Sequence, residues 1–217
     1  MDTMLQELSS ATPIRVVMIL TALTLLPGIV ISMTAFLRIV LVMGFLRNAL
    51  GLQSMPPNQV IIGLSLFLTW FVMGDVATRI HTDALQPYVE GRITEVQMLE
   101  DASKPLRAFM LKQTREKDLA LMLNLSRTQS VASLDDIPMR VVVPSYIVSE
   151  LRTAFAIGFL LFIPFLVIDL STAALLNALG MFMLPPPTIS LPFKLLVFVV
   201  ADGWALVVGS MVKSFGM

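Results

Sequence analysis

Apolar positions fill both ends of the chain and give way to a mixed, charge-rich pattern in the middle. Residues 16–37 (22 positions) and 48–74 (27 positions) carry no formal charge. Residues 153–168 (16 positions) are also uncharged, and so are residues 170–193 (24 positions), which Pro185, Pro186, Pro187 and Pro192 interrupt. A last apolar run, 195–212, contains Asp202. A membrane-spanning helix needs about 20 apolar residues, so the pattern predicts four spans, 16–37, 58–76, 150–170 and 194–213. Nearly all of the chain reads as helix. Pro27-Gly28 is expected to kink the first run, and Pro56-Pro57 with Asn58 marks the entry to the second. In the middle, Thr94 with Gln97 fits a capping box, and Ser103 with Pro105 fits a further helix start. Leu106, Phe109 and Met110, then Leu119, Met122 and Leu125, suggest one-faced helices. Residues 131–138 read as a loop around Asp135-Asp136. With no strand alternation, heptad array or internal repeat, the expected class is all-α. It divides into an apolar part (1–77), a polar helical part (78–140) and an apolar helical hairpin (141–217).

Composition sharpens this. Charged residues are 14 % of the 217 positions and residues of the AVILMFWYC set are 56 %, where soluble domains carry about a quarter charged. Mean hydropathy is +0.84, which points to a membrane-associated protein and makes lipid a partner. Fifteen basic residues balance fifteen acidic ones, so nucleic acid is not the expected partner. Without cysteine and with a single histidine, His81, thiolate chemistry and most metal sites are excluded, and no cofactor is expected. Eighteen of the 30 charges fall between residues 79 and 140. Arg38 and Arg47 lie between the first two apolar runs without an acidic neighbour, which favours that turn on the cytoplasmic side and puts 79–140 outside, in a periplasm. No basic segment precedes the first apolar run and no A-x-A-like site follows it, so no signal peptide is visible in this stretch, and one already removed would leave no trace.

Five charged residues sit in or beside the C-terminal apolar helices: Glu150, Arg152, Asp169, Lys194 and Asp202. A charge at the bilayer centre costs about 2.5–3.5 kcal/mol on insertion scales. Such groups snorkel to headgroups, pair, or face another subunit or water. Lys194 and Asp202 are eight residues apart, about 12 Å along a helix, too far to share one membrane edge. Glu150 is an available counter-charge for Lys194. Gly158, Gly180, Gly203 and Gly209 would let helices approach closely. The turn holding Met181, Phe182 and Met183, ahead of three prolines, caps a helical hairpin. Copies of it around an axis would make a compliant apolar collar, and the alternative is a loop dipping into lipid or core. A small transporter would use Asp202, Lys194 and Glu150 as an ion path, but no inverted repeat is visible. A membrane enzyme would need Glu150 and His81 as acid and base. The chain has no phosphate loop and no carboxylate cluster that reads as a metal site, so no catalytic residue is assigned.

Long strings in the chain carry a family likeness. Thr34-Ala-Phe-Leu-Arg-Ile-Val-Leu-Val-Met-Gly-Phe-Leu-Arg-Asn-Ala-Leu-Gly followed by Pro56-Pro57-Asn58-Gln59-Val60 resembles the first half of the FliP family. Phe109-Met-Leu-Lys-Gln-Thr-Arg-Glu-Lys-Asp-Leu-Ala-Leu resembles its middle. Pro144-Ser-Tyr-Ile-Val-Ser-Glu-Leu-Arg-Thr-Ala-Phe-Ala-Ile-Gly and Pro192-Phe-Lys-Leu-Leu-Val-Phe-Val-Val-Ala-Asp-Gly-Trp resemble its two signatures. Virulence proteins of the SctR type share the architecture, and Arg38, in place of lysine, tilts the likeness to the flagellar branch. The resemblance implies a core subunit of the flagellar type III export gate in the bacterial inner membrane, at the basal body. Several copies would assemble with FliQ and FliR into a pseudo-hexameric ring, largely above the membrane plane on the periplasmic side. FlhB and FlhA would be neighbours and unfolded flagellar proteins the cargo. It further implies a pore gasket at Met181, Phe182 and Met183, and inter-subunit contacts at Glu150 and Lys194, with Asp202, Arg152 and Asp169 as further buried polar groups. Phe182 replaces one of the family's consecutive methionines, Pro144-Ser-Tyr stands where alanine and phenylalanine are common, and Ala156 stands for a usual glutamine.

Overall fold

The computed structural model describes residues 31–126 and 133–216, together with residues 17, 20, 21, 24 and 28. The first predicted span and the Pro27 kink lie outside the residues described continuously. Among the described residues every regular element is helical and no strand forms. The helices are α1 (Phe36–Ala49), α2 (Asn58–Val72), α3 (Gly74–Ile80), α4 (Glu95–Gln113), α5 (Glu116–Leu125), α6 (Met139–Ala178), α7 (Pro186–Val200) and α8 (Gly203–Lys213). A π-helical turn at His81–Leu85 and a short turn at Gln86–Val89 extend α3.

Local sequence chemistry sets most of these boundaries. Thr94 accepts from the Gln97 amide while the Gln97 side chain accepts from the Thr94 amide, so both halves of the capping box form. Pro57, which lacks an N–H, stands just ahead of α2, and Asn58 begins it as expected. Pro105 behaves otherwise: it lies inside α4 and starts nothing. One missing N–H is tolerated there because the capping box has already fixed the helix ten residues earlier. Ser103, the expected cap, donates back to the Glu100 carbonyl at 2.7 Å. Residues 133–138 form a 3-10 turn (Leu134–Asp136) and its flanks.

The span expectation changes in shape. Helix α6 runs unbroken for 40 residues through Pro144 and Pro164, about 60 Å and far longer than the predicted 150–170. It is long and apolar enough to cross a membrane. The second and fourth predicted spans are bent: α2 meets the α3 extension at 62°, and α7 meets α8 at 65°. Each 15-residue arm reaches about 22 Å, short of a hydrocarbon core of about 30 Å. The second bend is written at Asp202, whose φ of +49° is left-handed and ends any helix entering it.

The core lies where α1 packs against α2 and α6. Ile39, Val42, Met43, Leu46 and Ala49, with Ala35 just ahead of the helix, give α1 a continuous buried stripe. Gly158 admits Phe45: a Cβ there would lie 2.5 Å from the ring. Gly203 likewise lies under the Phe198 ring, at 2.2 Å from a built Cβ. Gly209 has open space above it, and Gly180 serves through its φ of +73°, so close approach accounts for two of the four small residues. A second cluster, Met110, Ile137, Val141, Val142 and Tyr146, fastens α4 to the start of α6, with Leu106, Phe109, Leu119 and Met122 partly buried around it. Leu125 is exposed.

Candidate functional site

Three features of α6 carry polarity or exposure that its apolar composition does not explain. The first is a closed ionic joint. The α1 stripe brings Arg38 to 2 % exposure, and α6 brings Glu150 to 0 %. Arg38 Nε donates to Glu150 Oε2 at 2.8 Å, and Nη2 donates to Oε1. The planar guanidinium matches the carboxylate in a bidentate pair. Its remaining donors reach Gln113 Oε1 (3.1 Å), the Ser214 carbonyl (3.0 Å) and Ser214 Oγ (2.9 Å), and its centre lies 3.9 Å from the Phe215 ring. One residue pair thus ties α1, α4, α6 and the segment after α8.

The neighbouring turn of α6 extends the joint. Tyr146 donates to the Thr34 carbonyl at 2.8 Å. Ser149 donates to Asp118 Oδ2 at 2.8 Å and accepts the Arg115 amide at 2.9 Å. Asp118, buried in α5, also holds Arg152 at 3.1 Å, and Arg152 stays more than half exposed.

The second feature joins the hairpin arms. Lys194 Nζ on α7 donates to Asp169 Oδ2 on α6 at 2.7 Å and to the Ala49 carbonyl at 3.3 Å. Ser190, one turn before Lys194, donates to Asp169 Oδ1 at 2.5 Å. Within the chain, then, Glu150 and Lys194 do not pair. Each has a nearer partner, Arg38 and Asp169, that the fold delivers first. Asp202 is exposed and serves as the backbone break between α7 and α8. Since Glu150, Lys194 and Asp202 have separate surroundings, they do not make one ion path. His81 is exposed in the π turn, whereas Glu150 is fully buried. Among the described residues no three His, Asp or Glu side chains are grouped to hold a metal.

Sequence reasoning missed Arg38 as a site residue and counted it as a loop charge. Its burial removes it from the topology argument, which then rests on Arg47. The available signal was an arginine inside an apolar run with no acid nearby: its anion had to come from far along the chain. Asp118, Ser149 and Ser190 were also missed, since short polar side chains on helices give no pattern.

The third feature is the tip between α6 and α7. Helix α6 ends in a Schellman turn: the Gly180 amide donates to Asn177 and the Met181 amide to Leu176, with Gly180 in the left-handed conformation that the turn requires. Pro185 then caps α7, and Pro186 and Pro187 open it. The tip is therefore short and held at both ends. Phe182 is 77 % and Met183 97 % exposed, with Met181 beside them.

Residues 19–211 match the model of the FliP family. The chain belongs to the FliP family. Similar FliP relatives include the flagellar biosynthetic protein FliP of Pectobacterium carotovorum, 50 % identical over 93 % of this chain and 78 % of the relative. The Bacillus subtilis FliP is 48 % identical over 94 % of this chain and 93 % of its own. The Aquifex aeolicus FliP is 47 % identical over 93 % and 85 %. As a FliP-family member the chain is a flagellar biosynthetic protein and a structural component of flagellar export, an apparatus of several proteins. The apolar α6 is consistent with membrane association.

Proposed function

We propose that several copies of this chain assemble with FliQ and FliR into a pseudo-hexameric helical ring that conducts unfolded flagellar proteins. The ring belongs to the bacterial inner membrane at the flagellar basal body, largely on its periplasmic side, with FlhB and FlhA as neighbours. The observation that carries this reading is the 181–183 tip. Large apolar side chains on a short, pinned turn at the end of a hairpin stay largely uncovered among the described residues, which suits a seal made between copies. Met181, Phe182 and Met183 are its gasket, and dewetting at such a constriction blocks ions. Exposed apolar side chains on α2 (Phe67, Trp70, Phe71) and α6 (Phe155, Phe159, Leu170) support burial against neighbours or lipid. Glu150 and Lys194 support the subunit interface by fixing the helices that carry Arg152 and Asp169, which keep faces open to solvent or a neighbour. The polar segment 78–140 is a periplasmic ring-packing unit, and force for transport comes from other proteins.

Replacing Met181, Phe182 and Met183 together by glycine is expected to make expressing cells leak small ions and dyes while the protein still assembles. Unchanged permeability together with normal motility would remove the gasket from the account.

A further inference from the structure

A cavity of about 250 Å³ opens between the end of α1, the start of α2 and the start of α8. Its wall is hydrocarbon: Met43, Leu46, Leu50, Ile61, Leu64 and the Trp204 ring line it. The one charged lining residue is Arg47. Arg47 Nη1 donates to Asn58 Oδ1 at 2.6 Å and approaches the Pro56 carbonyl at 3.5 Å, both neutral acceptors. Its Nε–H is buried with no acceptor, and no carboxylate pairs with it among the described residues. A buried donor left without an acceptor forfeits its hydration with nothing in return. The α2 N-terminus adjoins it through Asn58, with no acidic residue in its first turn, and adds positive potential. Arg38, nine residues earlier on the same helix, shows what this fold does with a cation it closes within itself: it supplies a bidentate carboxylate. Arg47 receives none.

An occupant that answers both halves is an amphiphile with a long apolar tail and an anionic head. A protein side chain has either the tail or the charge, and brings backbone polar groups for which this wall has no partner. Trp204 on the wall is the residue type that sits at headgroup depth. We propose that the cavity takes one acyl chain of an anionic phospholipid, with the headgroup phosphate on Arg47. The assignment rests on the membrane placement above but not on the gasket, whose leak assay is independent of it.

The full-length chain in detergent, carrying Trp70→Phe so that Trp204 is the sole tryptophan, is titrated with phosphatidylglycerol brominated along its acyl chains. Saturable quenching of Trp204 is expected, with one lipid adduct per chain in native mass spectrometry. Arg47→Gln should weaken it about tenfold, since charge-assisted hydrogen bonds are lost, and Arg47→Lys should recover part. Val60→Phe, at the exposed rim, should block quenching while Arg47 and the helical circular dichroism stay intact, which covers misfolding of the Arg47 variants. Brominated phosphatidylcholine should bind far more weakly, and inorganic phosphate alone should not displace the lipid. Quenching indifferent to head charge, or unaltered by both Arg47→Gln and Val60→Phe, overturns the proposal. So does a Trp204 in the assembled ring that a neighbouring protein segment already shields.

Discussion

The Arg38–Glu150 joint and the Lys194–Asp169 link are both ion pairs set in apolar helices, yet they are built to different standards. Arg38 and Glu150 are closed off from solvent, and hydrogen bonds engage all three guanidinium nitrogens. Lys194 is equally buried, but Asp169 is 32 % exposed and keeps Ser190 as a second donor. The first pair clamps four segments far apart in sequence. The second holds two arms of one hairpin below its tip. The fold commits itself at the dry pair, where a lone survivor is costly, while the half-wet pair lets its acid fall back on water.

That contrast can be broken by measurement. Arg38→Met leaves Glu150 buried without its cation and should destabilise by about 3–5 kcal/mol in chemical unfolding in detergent. Arg38→Met with Glu150→Leu should recover much of the loss, and a single variant costing under about 1 kcal/mol would mean the joint is wet. Lys194→Met should cost less, about 1–3 kcal/mol, because Asp169 can hydrate. Lys194→Glu should be worse than Lys194→Met, since it places two carboxylates together, and equal losses would dissolve the distinction. Asp202→Val should cost about 1–2 kcal/mol through its left-handed backbone, with Asp202→Gly near neutral, both read by thermal unfolding. Smallest of all, single alanines at Phe182 or Met183 should shift stability by less than about 0.5 kcal/mol, although they belong to the tip whose replacement is expected to open the proposed leak.

The sequence made some of this legible and hid the rest for physical reasons. Thr94 with Gln97 and Pro57 with Asn58 are local signals, and their helices begin where those residues put them. Gly180 and the proline run also mark the tip, because turn chemistry acts within a few residues. Pro105 misleads because an established helix tolerates one missing N–H. Hydropathy sees apolar runs but not direction, so the bends after Val72 and at Asp202 escape it. The pairing of Arg38 with Glu150 crosses 112 positions, and nothing in the neighbourhood of either residue names the other. An acid in an apolar helix announces only that it needs a cation, and the nearby apolar helices offer Lys194 while Arg38 reads as a turn charge.

The locked ends of the hairpin tip set a division of labour for any aperture made from it. A glycine turn on one side and prolines on the other fix the main chain, so the lip yields only through the rotamers of two thioethers and one phenyl ring. Tightness at rest is then written in those side chains, whereas the widest object admitted is written in the backbone that carries them. Trimming the lip would loosen the closed state without enlarging the bore's limit, and stiffening it would slow the traveller without improving the frame.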